Sequence, residues 1–180
     1  MQILPAQGQA PQRGEAAASA ADVAAEQAAA QQHTQELPRI RLIVHATDGS
    51  PASWSAAAEA VALAQQTGAR LVALFVVNTQ EAGRLGALAQ PASDAMREQG
   101  QGAVGRVVEL ARQHGVQAQG MLVDGHPGQA IVSTASSLHA DLIVVGSHGA
   151  SGLERMLLGS VSEFVVRHAG GPVLVVRARG

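Results

Sequence analysis

DLIVVGSHGASGLERMLLGS, residues 141–160, is the stretch on which the fold turns. Asp141–Val145 is a short, almost wholly apolar run, the pattern of a strand covered on both faces. A glycine-rich loop follows from Gly146 to Gly159, and a helix is expected from Ser160 to His168. Within the loop, Gly146 and Gly149 are separated by two residues, and Gly149 and Gly159 by nine, with Ser160 directly after. Glycines allow backbone N–H groups to approach an anion without a Cβ in the way. The first N–H groups of a helix, with a partial charge of about +0.5 from the macrodipole, favour phosphate. Ser160 and Ser162 add hydroxyl donors. Strand end, glycine loop and helix start together predict a phosphate cradle. Taken singly, the glycines also read as a tight loop and Ser160 as an ordinary N-cap.

The flanking chain repeats the strand-then-helix order. Arg39–Thr47 reads as a strand, and Asp48-Gly49-Ser50-Pro51 as a turn. In that turn Ser50 is placed to cap a helix and Pro51 to occupy its first position. Ala52–Thr67 reads as a helix closed by Gly68. Leu71–Val77 is an apolar strand, Asn78–Gln90 a loop, and Pro91–His114 a helix weakened by Gly100, Gly102 and Gly105. Val116–Val123 is a third strand, and a helix runs from about Gln129 to His139. Val173–Arg177 is the last strand. Strands alternating with helices predict a single doubly wound α/β domain, with a mainly parallel five-stranded sheet and helices on both faces. Ligands of such sheets bind beyond the carboxyl ends of the strands, where the strand order reverses. Two strand ends carry suitable chemistry: Ala46-Thr47-Asp48 and the loop from Gly146.

Composition narrows the function. All 12 basic residues are arginines, so a P-loop lysine is impossible. There is no cysteine, which excludes a disulfide framework, an Fe–S cluster, a thiolate zinc site and a cysteine nucleophile. The 7 histidines show none of the spacings of a metalloprotease or zinc site, so no metal is expected from the protein alone. A formal net charge of −2 gives no field that would gather nucleic acid or an anionic membrane. No apolar run reaches the ~18 residues of a membrane span. The start, Met1-Gln2-Ile3-Leu4-Pro5, lacks the basic and apolar regions of a secretory signal, and the expected compartment is the cytoplasm.

Residues 1–38 differ in texture. They are mainly Ala, Gln and Glu, and Val23 is the single sizeable hydrophobe between Glu15 and Gln35. Helix propensity is high there, yet little would fasten such a helix to a core. The expectation is a disordered or loosely helical extension before a domain spanning residues 39–180. A partner-binding helix is the alternative.

Gly146, Gly149, Gly159 and Ser160, with Asp48-Gly49-Ser50 and the closing pattern GSVSEFVVRHAGGPVLVVR from Gly159 to Arg177, resemble the ATP-binding subclass of the universal stress protein family. The likeness covers residue 39 to about residue 178. It implies a Rossmann-like fold of the adenine nucleotide alpha hydrolase type that holds ATP, with a divalent ion such as Mg2+ or Mn2+ on the phosphates. It also implies roles for particular positions. Asp48 would lie near ribose and adenine, with Ala46 and Thr47 on the same wall, and Val76 would meet the base. Val145, Gly146, Ser147 and Gly149 would wrap ribose and phosphates. Gly159, Ser160, Val161 and Ser162 would complete the cradle. The resemblance further implies a homodimer through Pro172–Arg177, since a short apolar edge strand is a liability when left unpaired.

Other residues have ordinary readings. Asp48 also suits simple turn chemistry. His148 and Arg155 lie in the glycine loop; His148 reads equally as a phosphate contact or a solvated side chain, whereas Arg155 could screen phosphate charge but reads more readily as solvated. His45 reads as a structural residue near a sheet face. No nucleophile stands beside a general base, and there is no nucleophile elbow. The reading that follows is an ATP-binding regulatory or stress-response protein that is not an enzyme. The alternatives are a slow ATPase or other nucleotide-dependent enzyme, and a partner-binding module in which nucleotide is structural.

Overall fold

The computed structural model describes residues 39–147 and 158–177. Residues 1–38, and with them the expected extension, lie outside the described residues, as do His148, Gly149 and Arg155. The elements run β1 (Leu42–Ala46), α1 (Pro51–Thr67), β2 (Arg70–Val77), α2 (Thr79–Gly83), a 3-10 turn (Gly86–Leu88), α3 (Ala89–Gln113), β3 (Ala118–Asp124), α4 (Pro127–Ser137), β4 (Leu142–Gly146), α5 (Ser160–His168) and β5 (Val173–Val176). The strands form one sheet in the order β3-β2-β1-β4-β5, and all four pairings are parallel.

The period-two alternation of the strands builds two cores. On one face Ile43, Leu71, Ala73, Val77 and Val144 pack under α1 and α3, through Ala56, Ala57, Ala60, Val104 and Val107. On the other, Leu42, Val44, Val72, Leu74, Ile143 and Val145 pack under α4 and α5, through Ile131, Ala135 and Val165. With one tryptophan and two phenylalanines in the chain, small side chains must close the gap. The alanines of α1 let that helix lie flat on β1 and β4. Gly100 does the same for α3, because a Cβ there would sit 2.5 Å from Phe75 Cδ1. Beside them Arg106 of α3 lies over the Trp54 ring of α1, 4.5 Å from its centroid.

The turn before α1 forms as its residue types require. Ser50 Oγ accepts from Ser53 N at 3.2 Å, Pro51 sits in the first turn, and Gly68 closes the helix with φ 72°. The stretch expected as a loop from Asn78 to Gln90 is instead largely helical. Asn78 Oδ1 accepts from Glu81 N, and Asn78 Nδ2 donates to Glu81 Oε2, both at 3.2 Å. The Asn78 cap starts α2 despite Gly83, and the side-chain bond to Glu81 holds the cap in place. α3 begins at Ala89, two residues before the expected Pro91, since a proline is tolerated in a first helical turn. α4 likewise begins at Pro127 rather than near Gln129. Among the described residues no helix is long and apolar enough to cross a membrane.

Candidate functional site

β1 and β4 are neighbours whose following helices, α1 and α5, cover opposite faces of the sheet. This is the point where the strand order reverses, and a crevice opens beyond the two strand ends. A cavity of about 490 Å³ occupies it. Its apolar wall includes Ala46, Val76, Val145 and Ile131, and Gly159, Ser160, Val161 and Ser162 edge it from the start of α5. Thr47, Asp48 and Gly146 complete the part of the wall foreseen from the sequence.

The β1 end is held by a short relay. Thr47 N donates to Leu74 O at 2.9 Å. Ser53 Oγ donates to Ser50 O at 3.0 Å, so in its 3.0 Å contact with Thr47 Oγ1 it is the threonine that donates. Gly49 N donates to Thr47 Oγ1 and Ser50 N to Asp48 Oδ1, at 3.2 and 2.9 Å. The Asp48 carboxylate is thus fixed at the cavity wall by its own turn. Gly146 is needed on the facing strand, because a Cβ there would come within 3.1 Å of the Ala52 carbonyl atoms.

At the start of α5, Glu163 N makes the first helical bond, to Gly159 O at 2.9 Å. Helical geometry leaves the N–H groups of Ser160, Val161 and Ser162 without partners inside the helix, and no side chain caps it. Ser147, expected beside ribose and phosphates, is buried at the end of β4: its N–H donates to Val176 O and its carbonyl accepts from Gly159 N, both at 2.7 Å. It ties β4, β5 and α5 together. The Ser162 hydroxyl, expected to face phosphate, donates instead to Gly159 O at 2.8 Å and Ser147 O at 3.2 Å. Ser162 offers the site its backbone N–H.

All the buried polar side chains among the described residues (His45, Thr47, Ser50, Ser53, Ser147 and Ser162) gather at this end of the sheet. His45 points from β1 towards α1. Its Nδ1 donates to Val144 O at 3.1 Å, and Nε2 is buried with no partner. Burial away from water lowers its pKa to about 4, so the ring is neutral at pH 7. It serves the layer under the site and is not on the wall.

Part of the wall was not foreseen. Asn78 and Glu81 reach it from the segment after β2, Met96 and Gln99 from α3, and Pro127 from α4. Gln99 Nε2 donates to Asp48 O at 3.3 Å. The proline at the start of α4 and the Asn-x-x-Glu spacing were the available signals; Met96 and Gln99 carried none. Among the described residues the wall holds two carboxylates, Asp48 and Glu81, and no arginine. No group of three or more His, Asp or Glu among the described residues suits a metal ion.

Comparison with known proteins gives one answer. The family model "Universal stress protein family" matches residues 39–177. A universal stress protein of Methanocaldococcus jannaschii is 40% identical over 137 residues, covering 75% of this chain and 81% of that relative. Among solved structures, the universal stress protein UspA from Lactobacillus plantarum superposes with a TM-score of 0.72 at 28% identity, covering 78% of this chain and 100% of that one. A universal stress protein in complex with cAMP superposes at 0.59 and 26% identity, covering 79% and 100%. Family model, superposition and sequence likeness agree over nearly the same residues, and the chain belongs to the universal stress protein family.

Proposed function

We propose that the cavity binds ATP, with the phosphates at the start of α5 and the base in the slot beside Val76, and that occupancy regulates the protein's partners. The observation that carries this reading is the uncapped α5 N-terminus opening onto the same cavity as an apolar wall and the Asp48 carboxylate. Exposed helical N–H groups suit phosphate, and an apolar slot suits a purine. The relative solved with cAMP supports an adenine nucleotide as the ligand class. Two carboxylates and no described arginine on the wall favour a ligand that brings its own cation. Mg2+ or Mn2+ would ride on the phosphates, since no ready set of protein ligands stands among the described residues.

Binding rather than turnover is our reading. The Ser53 hydroxyl is committed to Ser50 O, Thr47 donates to Ser53, and the His45 ring is sealed beneath the wall. We further infer a homodimer through the outer edge of β5. A reader of ATP belongs where ATP is abundant, so the cytoplasm is the compartment this reading implies.

A thermal-shift titration with ATP, AMP and adenosine, with and without Mg2+, tests it. Ligand at a hundred times its Kd adds about 2.7 kcal/mol of stability. That corresponds to roughly 5–10 °C in a domain of this size. ATP should shift the midpoint most and adenosine least. Absence of any shift with all three would remove the reading.

A further inference from the structure

We propose that residues 79–99 form a hinged lid over the cavity, with Gly102 and Gly105 of α3 as its compliant joint and the Arg97–Asp124 ion pair as its latch. The inference rests on the cavity being the nucleotide site and concerns how the ligand enters and leaves it.

Burial changes abruptly along this part of the chain. Between residues 79 and 99 Ala82 is the one buried residue, whereas Gly100, Val104, Val107 and Ala111 anchor the rest of α3 in the core. Leu85 and Leu88, at 51% and 63% exposure, are the most exposed large hydrophobics described, and both lie on this segment. It nevertheless contributes Glu81, Met96 and Gln99 to the cavity wall, so moving it opens the cavity. A segment with few buried contacts opens at low cost relative to global unfolding.

The joint is written into α3. Packing explains Gly100, which meets Phe75. It does not explain Gly102 and Gly105, where an added Cβ would meet nothing within 4 Å. Glycine inside a helix is less favourable than alanine, and glycine pairs are common places for a helix to bend. Two sterically unneeded glycines thus lie on the exposed side of α3, interleaved with the buried Gly100, Val104 and Val107 at the lid's end of the anchored stretch. Across the sheet edge, Arg97 Nη2 meets both Asp124 oxygens at 2.7 and 2.8 Å, joining the lid to the end of β3. The side chains are 39% and 54% exposed. An exposed pair of this kind is weak and screened by salt, which suits a latch that must release.

The test is stopped-flow exchange of a fluorescent mant-ATP, with Mg2+, on the full chain. Gly102→Ala/Gly105→Ala should slow association and dissociation together, by roughly fivefold or more, with Kd little changed and the melting point raised. Arg97→Gln should speed both by up to about fivefold and abolish the acceleration that salt gives the wild type. Unaltered rates in both variants, with wild-type Kd, would overturn the lid. If the wild type binds no mant-ATP, the nucleotide reading fails first, and hydrogen exchange then decides the lid by itself. Amides of residues 79–99 should exchange as a block faster than those of 104–111, and the alanine pair should slow them. Equal protection in the two blocks would overturn the proposal.

Discussion

At the scale of single residues, His45 makes the sharpest demand on conditions. Its pKa is about 4 in the folded chain against an ordinary value of 6.5. Between those values the unfolded chain binds the proton and the folded chain does not. Stability is therefore full above about pH 6.5 and falls as the pH drops towards 4. A difference of this size corresponds to about 3 kcal/mol across the window. Urea denaturation at pH 7 and pH 4.5 should show a loss of this order for the wild type. His45→Val should lose clearly less, because valine fits the apolar neighbours and has no proton to gain. Equal losses in the two proteins would mean that the folded ring is not held neutral.

Single elements divide binding from folding. Ser160 and Ser162 are two residues apart at the start of α5, yet one is exposed and the other is bonded to Gly159 and Ser147. Ser162→Ala should cost about 1 kcal/mol of stability, read as a lower melting point, and weaken ATP binding as the helix start loosens. Ser160→Ala should keep the melting point and lower ATP affinity by a similar amount. The same helix shows what the sequence makes legible. Its start, its glycine neighbour and the buried strand before it follow from local patterns, and so do the strands and the β1 turn. The Ser147 carbonyl that receives Gly159 N–H is a contact between segments, and no spacing announces it. Met96 and Gln99 were invisible for the same reason: they reach the cavity only because α3 crosses above β2. The short α2 was hidden by Gly83 and Gly86, which read as loop residues until the Asn78–Glu81 cap is seen to hold the turn.

For the whole molecule the open question is the outer edge of the sheet. β5 pairs with β4 on one side, and Pro172 O and Val176 O accept from Ile143 N and Ser147 N. Parallel pairing alternates, so the backbone groups of Val173 and Val175 point outward. Val175→Pro removes one outward N–H and leaves the bonds to β4 in place. Sedimentation should find the wild type dimeric and this variant monomeric with its melting curve still cooperative. A monomeric wild type would end the dimer proposal.

The contact between Trp54 and Arg106 has a practical consequence. The indole is the only one in the chain, and it follows Ser53 of the cavity wall directly. Arg106 follows Gly105 just as directly on α3. Indole emission depends on the charge and the solvent nearby, and here the nearby charge sits next to the glycine about which α3 would bend. The chain therefore carries an intrinsic fluorophore at the place where ligand entry would be felt, and its emission can follow that motion in real time without a label.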